Sequence, residues 1–100
     1  MRVKLRWEWD DDKNRTNELK HGLDFETAQL TFDDPIAVSR LDLYPNEERW
    51  QTIGIIDQTI VIVVHTLPAY DAESDEDVGR IISARKATRH ERRAYEEGNF

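Results

Sequence analysis

The chain has one hundred residues, with 14 Lys/Arg against 21 Asp/Glu, a formal net charge of −7, 38% hydrophobic residues and no cysteine. Those totals describe one small domain that can bury a core unaided, and they exclude a disulfide framework and thiolate zinc sites. The negative average field excludes indiscriminate binding to nucleic acid but leaves room for one positive pocket.

The elements follow in chain order. Val3, Leu5, Trp7 and Trp9 alternate with Arg2, Lys4, Arg6 and Glu8, the period of a half-buried strand. Asp10-Asp11-Asp12 supplies an N-cap and an acidic first turn for a helix reaching about Lys20, with Gly22 placed to end it. Asp24 can cap a shorter helix whose Phe25, Ala28 and Phe32 share a face, and Asp33-Asp34-Pro35 breaks it. Four strands are predicted next: Ile36 to Leu43, Arg49 to Ile56, Thr59 to Leu67, and Val78 to about Ala84. Tyr44-Pro45-Asn46 and Asp57-Gln58 connect them as turns, the latter as a two-residue hairpin. The Thr59 strand is apolar on both faces and belongs in the middle of the sheet. "PAYDAESDED", residues 68–77, reads as an exposed acidic loop. Thr88 and Glu91 form a capping box that opens a last helix to about Glu97. The expected architecture is α+β: an N-terminal strand, two helices, an antiparallel meander and a C-terminal helix, with the helices on one face of the sheet.

Charge is uneven along this course. Residues 25–79 hold two Lys/Arg against twelve Asp/Glu, whereas residues 80–100 hold six against three. Arg80, Arg85, Lys86, Arg89, Arg92 and Arg93 therefore form either a solvated surface or an anion site, since guanidinium groups match phosphate oxygens bidentately. A regular pleat sets Arg80 and Arg85 on opposite faces, and a bulge could bring them together. His21 stands at a helix C-terminus, where the dipole favours a cation, and can serve as general acid or base or merely precede a capping glycine. His65 reads as structural and His90 as exposed. No histidines share i, i+3 or i, i+4 spacing, so zinc has little support, and capping explains Asp10 to Asp12 more simply than a divalent cation does. Arg49 beside Trp50 can pair with a carboxylate, stack, or point into a groove. Ser39, Ser74 and Ser83 have no base nearby in sequence, and there is no Walker loop, Gly-x-Gly-x-x-Gly or Gly-x-Ser-x-Gly elbow. The longest apolar run, Ile60 to Val64, is too short to cross a bilayer, and the first six residues lack a secretory signal's apolar stretch, so a cytoplasmic protein is expected.

Three blocks together, "WEWDDDKNRTNELKHGLDFETA", "ERWQTIG" and "RIISARKATRHERRAYEE", resemble the BrnT family of type II toxins almost from end to end. The resemblance implies a RelE-like fold and a ribonuclease that halts translation without cofactor or metal. It also implies a BrnA-like antitoxin partner with a ribbon-helix-helix domain, through which operator DNA is reached. Carried onto this chain, it implies catalytic roles for His21, Arg49, Arg80 and Arg85. Lys20, Lys86 and Arg89 become RNA phosphate contacts, while Glu91 and Tyr95 match as capping and packing residues. The acidic stretch from Asp71 to Asp77 departs from the family pattern by its length and charge. Two other readings stay open: a non-catalytic module that only docks an antitoxin, and a metal-dependent enzyme built on Asp10 to Asp12.

Overall fold

The computed structural model describes residues 3–43 and 48–100. The turn expected at Tyr44-Pro45-Asn46, and Arg2 at the start of the first alternation, lie outside the described residues.

Strand β1 (Lys4–Glu8) leads into helix α1 (Asp11–His21). Asp10 caps α1 by accepting from the Asp12 and Lys13 amides, and Gly22 closes it at φ 69, a left-handed conformation that glycine adopts without steric cost. Asp24 caps helix α2 (Phe25–Ala28), which tightens into a 3₁₀ turn over Gln29–Asp33. Strands β2 (Val38–Asp42), β3 (Arg49–Ile56) and β4 (Thr59–His65) form an antiparallel run, and Asp57 turns the β3–β4 hairpin at φ 53. Strands β5 (Ala69–Asp71) and β6 (Glu76–Lys86) follow, then helix α3 (Arg89–Glu97), capped by the Thr88–Glu91 box.

The strand order is β1-β6-β4-β3-β2, with β5 pairing the start of β6. Three expectations are corrected here. The sheet is mixed rather than an antiparallel meander, because β1 runs parallel to β6 from Lys4↔Glu76 to Glu8↔Arg80. The acidic stretch is a hairpin rather than a loop: β5 pairs antiparallel with Glu76–Val78, and Asp71 accepts the Glu73 amide at 3.1 Å and the Ser74 hydroxyl at 3.0 Å across the turn. The helices pack on both faces of the sheet rather than one. Leu23, Phe25 and Ala28 meet Val61, Val63, Ile81 and Ala84 on one face, while Ala87 and Tyr95 meet Ile53 and Ile62 on the other. Alternation within β4 fixes this division, since Val61 and Val63 point one way and Ile62 the other. Burying Phe25 completely is worth about 2–3 kcal/mol.

Two polar side chains tie the helices to the sheet. Asn17, buried in α1, donates to the Leu23 carbonyl (2.8 Å) and the Ala84 carbonyl (2.7 Å) and accepts from the Ala84 amide (3.1 Å). Its carboxamide thus completes the ladder on the edge of β6 that no strand among the described residues covers beyond Arg80. Asp34 accepts from the Ile55 amide (2.8 Å) and the Tyr95 hydroxyl (2.6 Å), joining α3 to β3. Burial alone would raise the Asp34 carboxyl, but the bonds from Tyr95, Ile36 and Ile55 outweigh it and hold the group below its ordinary range. The same contact, after burial, pushes Tyr95 up to about 12.

Candidate functional site: an arginine-bearing sheet face

Pairing register decides where each strand arginine points. Arg49 lies opposite Asp42, Arg40 opposite Gln51, Gln51 opposite Val64 and Val64 opposite Ser83. Residues directly opposite share a face, so this set lies on the α3 side. Arg85 pairs with Ile62 and joins them. Arg6 and Glu8 alternate with Trp7, whose ring stacks on Phe32 at 4.1 Å on the far face. A Cβ built on Gly79 would lie 2.3 Å from the Trp7 ring, which shows that Gly79 turns its bare side toward that far face. Arg80, next in the strand, therefore points to the α3 side.

Arg80 and Arg85 are an odd number of residues apart, and a regular strand would separate them. The register shifts between Val64 and His65: Val64 pairs with Ser83, and His65 with Ile81. Ile82 is the extra residue of a β-bulge, and it reverses the parity. All the arginines in the described strands, Arg6, Arg40, Arg49, Arg80 and Arg85, consequently lie on one face. Arg49 and Arg80 flank Thr66 from the two sides of β4, ~10 Å apart between backbones, whereas Arg85 stands ~15 Å further along β6 where α3 begins. They share a face rather than one pocket. Arg6 and Arg40 were missed by sequence reasoning, although alternation with Trp7 and within β2 contains the signal.

Carboxylates orient several of these groups. Arg85 makes a two-pronged contact with Glu91, Nη1 donating to Oε1 at 2.7 Å and Nη2 to Oε2 at 2.9 Å. This pairing lifts the Arg85 guanidinium above its usual range against the effect of burial. It also draws the Glu91 carboxyl down to about 2, with help from the Thr88 amide. Arg49 donates Nε (3.1 Å) and Nη2 (2.9 Å) to Asp42 Oδ2. Arg6 donates to Glu76 at 2.9 Å, and the Arg40 guanidinium lies 3.9 Å over the Phe100 ring. Arg85 directs Nη1 and Nη2 to Glu91 and Nη1 also to the Lys86 carbonyl, and arginine carries five donors in all.

The other candidates occupy different places. Lys20 and His21, at the end of α1, line a hollow of about 400 Å³ together with Lys13, Asn17, Ile82 and Ser83. Ser83 belongs to the arginine face, so this hollow adjoins it at the edge of β6. Lys86 pairs with Val61 and turns to the opposite face, lining a hollow with Gly22, Leu23 and Thr27. Arg89 lies on the outer side of α3 with His90 and Arg93. Glu91 completes the capping box and Tyr95 packs in the core, as their positions suggested. His65 is structural: it is buried with its ring perpendicular to the stacked Trp7 and Phe32 rings, and burial lowers its pKa despite the bond to the Thr66 carbonyl. Asp10 is engaged in capping, and Asp12 pairs with Arg15.

Five arginines on one sheet face, several of them held by carboxylates, give a surface whose guanidinium groups can meet an anionic partner. Comparison supplies the class: residues 9–91 match a family of ribonuclease toxins of type II toxin–antitoxin systems. The chain belongs to that family, BrnT, whose members act as the toxin opposite an antitoxin partner. Comparison with curated protein sequences finds no match. No helix among the described residues is long and apolar enough to cross a membrane.

Proposed function

We propose that this chain is a RelE-like, metal-independent endoribonuclease that inhibits translation in the cytoplasm and is neutralised by a BrnA-like ribbon-helix-helix antitoxin, through which operator DNA is reached. The observation that carries the reading is the gathering of the strand arginines on one face by the β6 bulge. A 2′-hydroxyl attacks the adjacent phosphorus, the P–O5′ bond breaks, and the products are a 2′,3′-cyclic phosphate and a 5′-hydroxyl. Among Arg49, Arg80 and Arg85, the guanidinium beside the attacked phosphate holds the charge that grows on the phosphorane oxygens, and the other two hold neighbouring phosphates. His21, in the hollow beside Ser83, takes the 2′-hydroxyl proton and returns it to the departing 5′-oxygen, and Lys20 holds an adjacent phosphate. The spread from Arg49 to Arg85 suits several phosphates of one strand rather than a single anion. In this reading Lys86 and Arg89 contact RNA only where it leaves that face.

The test is cleavage of an RNA oligonucleotide by the purified chain in excess chelator. We expect a cyclic phosphate end, and a loss on the order of 10²-fold for Arg80→Ala or Arg85→Ala. Undiminished cleavage by both variants, or cleavage abolished by chelator and restored by metal, contradicts the proposal. A second reading, a non-catalytic module whose arginine face only receives the antitoxin, draws on the Arg49–Asp42 and Arg85–Glu91 pairs. Tight antitoxin binding with RNA left intact selects it.

A further inference from the structure

We infer that Thr66 is a positioning residue for Arg80, an inference that rests on the ribonuclease reading above. Two antiparallel residues that face each other as a hydrogen-bonded pair normally exchange both N–H···O=C bonds. Thr66 and Arg80 exchange only one. The Thr66 amide donates to the Arg80 carbonyl at 3.0 Å. The Arg80 amide donates instead to the Thr66 hydroxyl oxygen, at 2.9 Å. The Thr66 carbonyl faces the His65 imidazole, 2.8 Å from Nδ1. With Nδ1 as the donor, Nε2 is left to accept from Thr52 Oγ1 at 2.6 Å, and Thr52 in turn accepts from Ser39 at 2.7 Å.

This substitution lies beside the bulge that reverses the parity of β6. The side-chain oxygen of Thr66 replaces a backbone carbonyl already committed to a buried, neutral histidine, and so the Arg80 backbone is held at an offset that a regular ladder does not allow. Thr66 lies between Arg49 and Arg80 on the proposed RNA face, so the same residue sets the spacing of those two guanidinium groups. Losing the hydroxyl leaves the Arg80 amide without its acceptor, or pulls the Thr66 carbonyl away from His65. Either change re-aims the arginine. Small misplacement of a charge-stabilising group is expensive in rate, reaching about 10²-fold for an error near 1 Å.

The experiment uses the full chain and a defined RNA oligonucleotide. Thr66→Val preserves shape and removes the acceptor, Thr66→Ser restores it, and each is made with and without Arg80→Ala. We expect Thr66→Val to lower kcat/KM about tenfold or more, Thr66→Ser to recover most of it, and Thr66→Val to add nothing once Arg80 is alanine. Wild-type turnover by Thr66→Val while Arg80→Ala is inactive overturns the inference and leaves the ribonuclease reading standing. The inference also fails if Thr66→Ser is as impaired as Thr66→Val, or if the two losses multiply. Full activity in Arg80→Ala removes Arg80 from the reaction, and both readings of it fall together. Should Thr66→Val not fold, Thr66→Ala, which also removes the acceptor, takes its place with the same expected and overturning outcomes.

Discussion

Replacing Glu91 by Gln isolates one charged contact with little change of shape. Glu91 Oε1 accepts from the Thr88 amide at 2.8 Å and from Arg85 at 2.7 Å, while Oε2 accepts from Arg85 at 2.9 Å. Glutamine can retain the cap, since either residue serves at this position of a capping box. It cannot accept both guanidinium prongs. The carboxyl falls from 4.5 to about 2, a difference that corresponds to roughly 3 kcal/mol of folding stability at neutral pH. The Arg85 side chain is 38% exposed, so solvent screening reduces the expected effect to about 1.5–2 kcal/mol. The sign follows from the lowered pKa: the stabilisation is complete above the unfolded-state value near 4.5 and is lost as pH falls toward 2. Urea unfolding followed by circular dichroism at pH 7 should place the Glu91→Gln midpoint about 1 M below the parent. The gap should shrink steadily between pH 5 and pH 2 as the parent's own carboxylate is protonated. A gap that is constant across that window, or absent at pH 7, refutes the reasoning.

Three further outcomes rest on equally local geometry. Gly79→Ala forces a methyl into the Trp7 ring and should cost about 2–3 kcal/mol, with a shift in tryptophan emission; unchanged stability and emission contradict it. Tyr95→Phe removes the bond to Asp34 and should cost about 1 kcal/mol at pH 7. Because Tyr95 is raised to about 12, the parent's advantage is complete below pH 10 and lost as pH rises through 12, which pH-dependent unfolding reads directly. Asn17→Leu strips the Ala84 amide and carbonyl of their partner and should cost at least about 3 kcal/mol, with faster hydrogen exchange at the Ala84 amide as the specific readout.

Local signals were readable from the sequence because their physics is local. Asp10, Asp24 and Thr88 each cap the helix they precede, and Gly22 ends α1, since each needs only neighbouring backbone groups. Alternation located β1, and a run apolar on both faces showed β4 as the twice-covered strand. The parallel pairing of β1 with β6 was not readable, because it joins residues some seventy positions apart with no turn between them to signal it. The acidic hairpin was missed for a different reason: β5 has only three residues, and the composition around them reads as loop. At the candidate site, the residue types were legible and their faces were not. Counting from Arg80 to Arg85 gives opposite faces, and only the extra residue Ile82 corrects the count. Beside that bulge lie the Thr66 hydroxyl and the buried His65, both remote from it in sequence. The placing of Lys86 on the far face follows from the same register.

The central claim, that RNA is held by the α3-side face of the sheet, is tested most directly by the salt dependence of binding. A single-stranded RNA oligonucleotide is titrated with the parent, Arg80→Ala, Arg85→Ala and Lys86→Ala over a range of salt concentrations. With an oligonucleotide short enough to stay on that face, each arginine variant should flatten the slope of log K against log salt by about 0.7, one phosphate contact of a single strand, while Lys86→Ala leaves it unchanged. A slope that responds to Lys86→Ala and not to Arg80→Ala or Arg85→Ala places the RNA on the other face and contradicts the account.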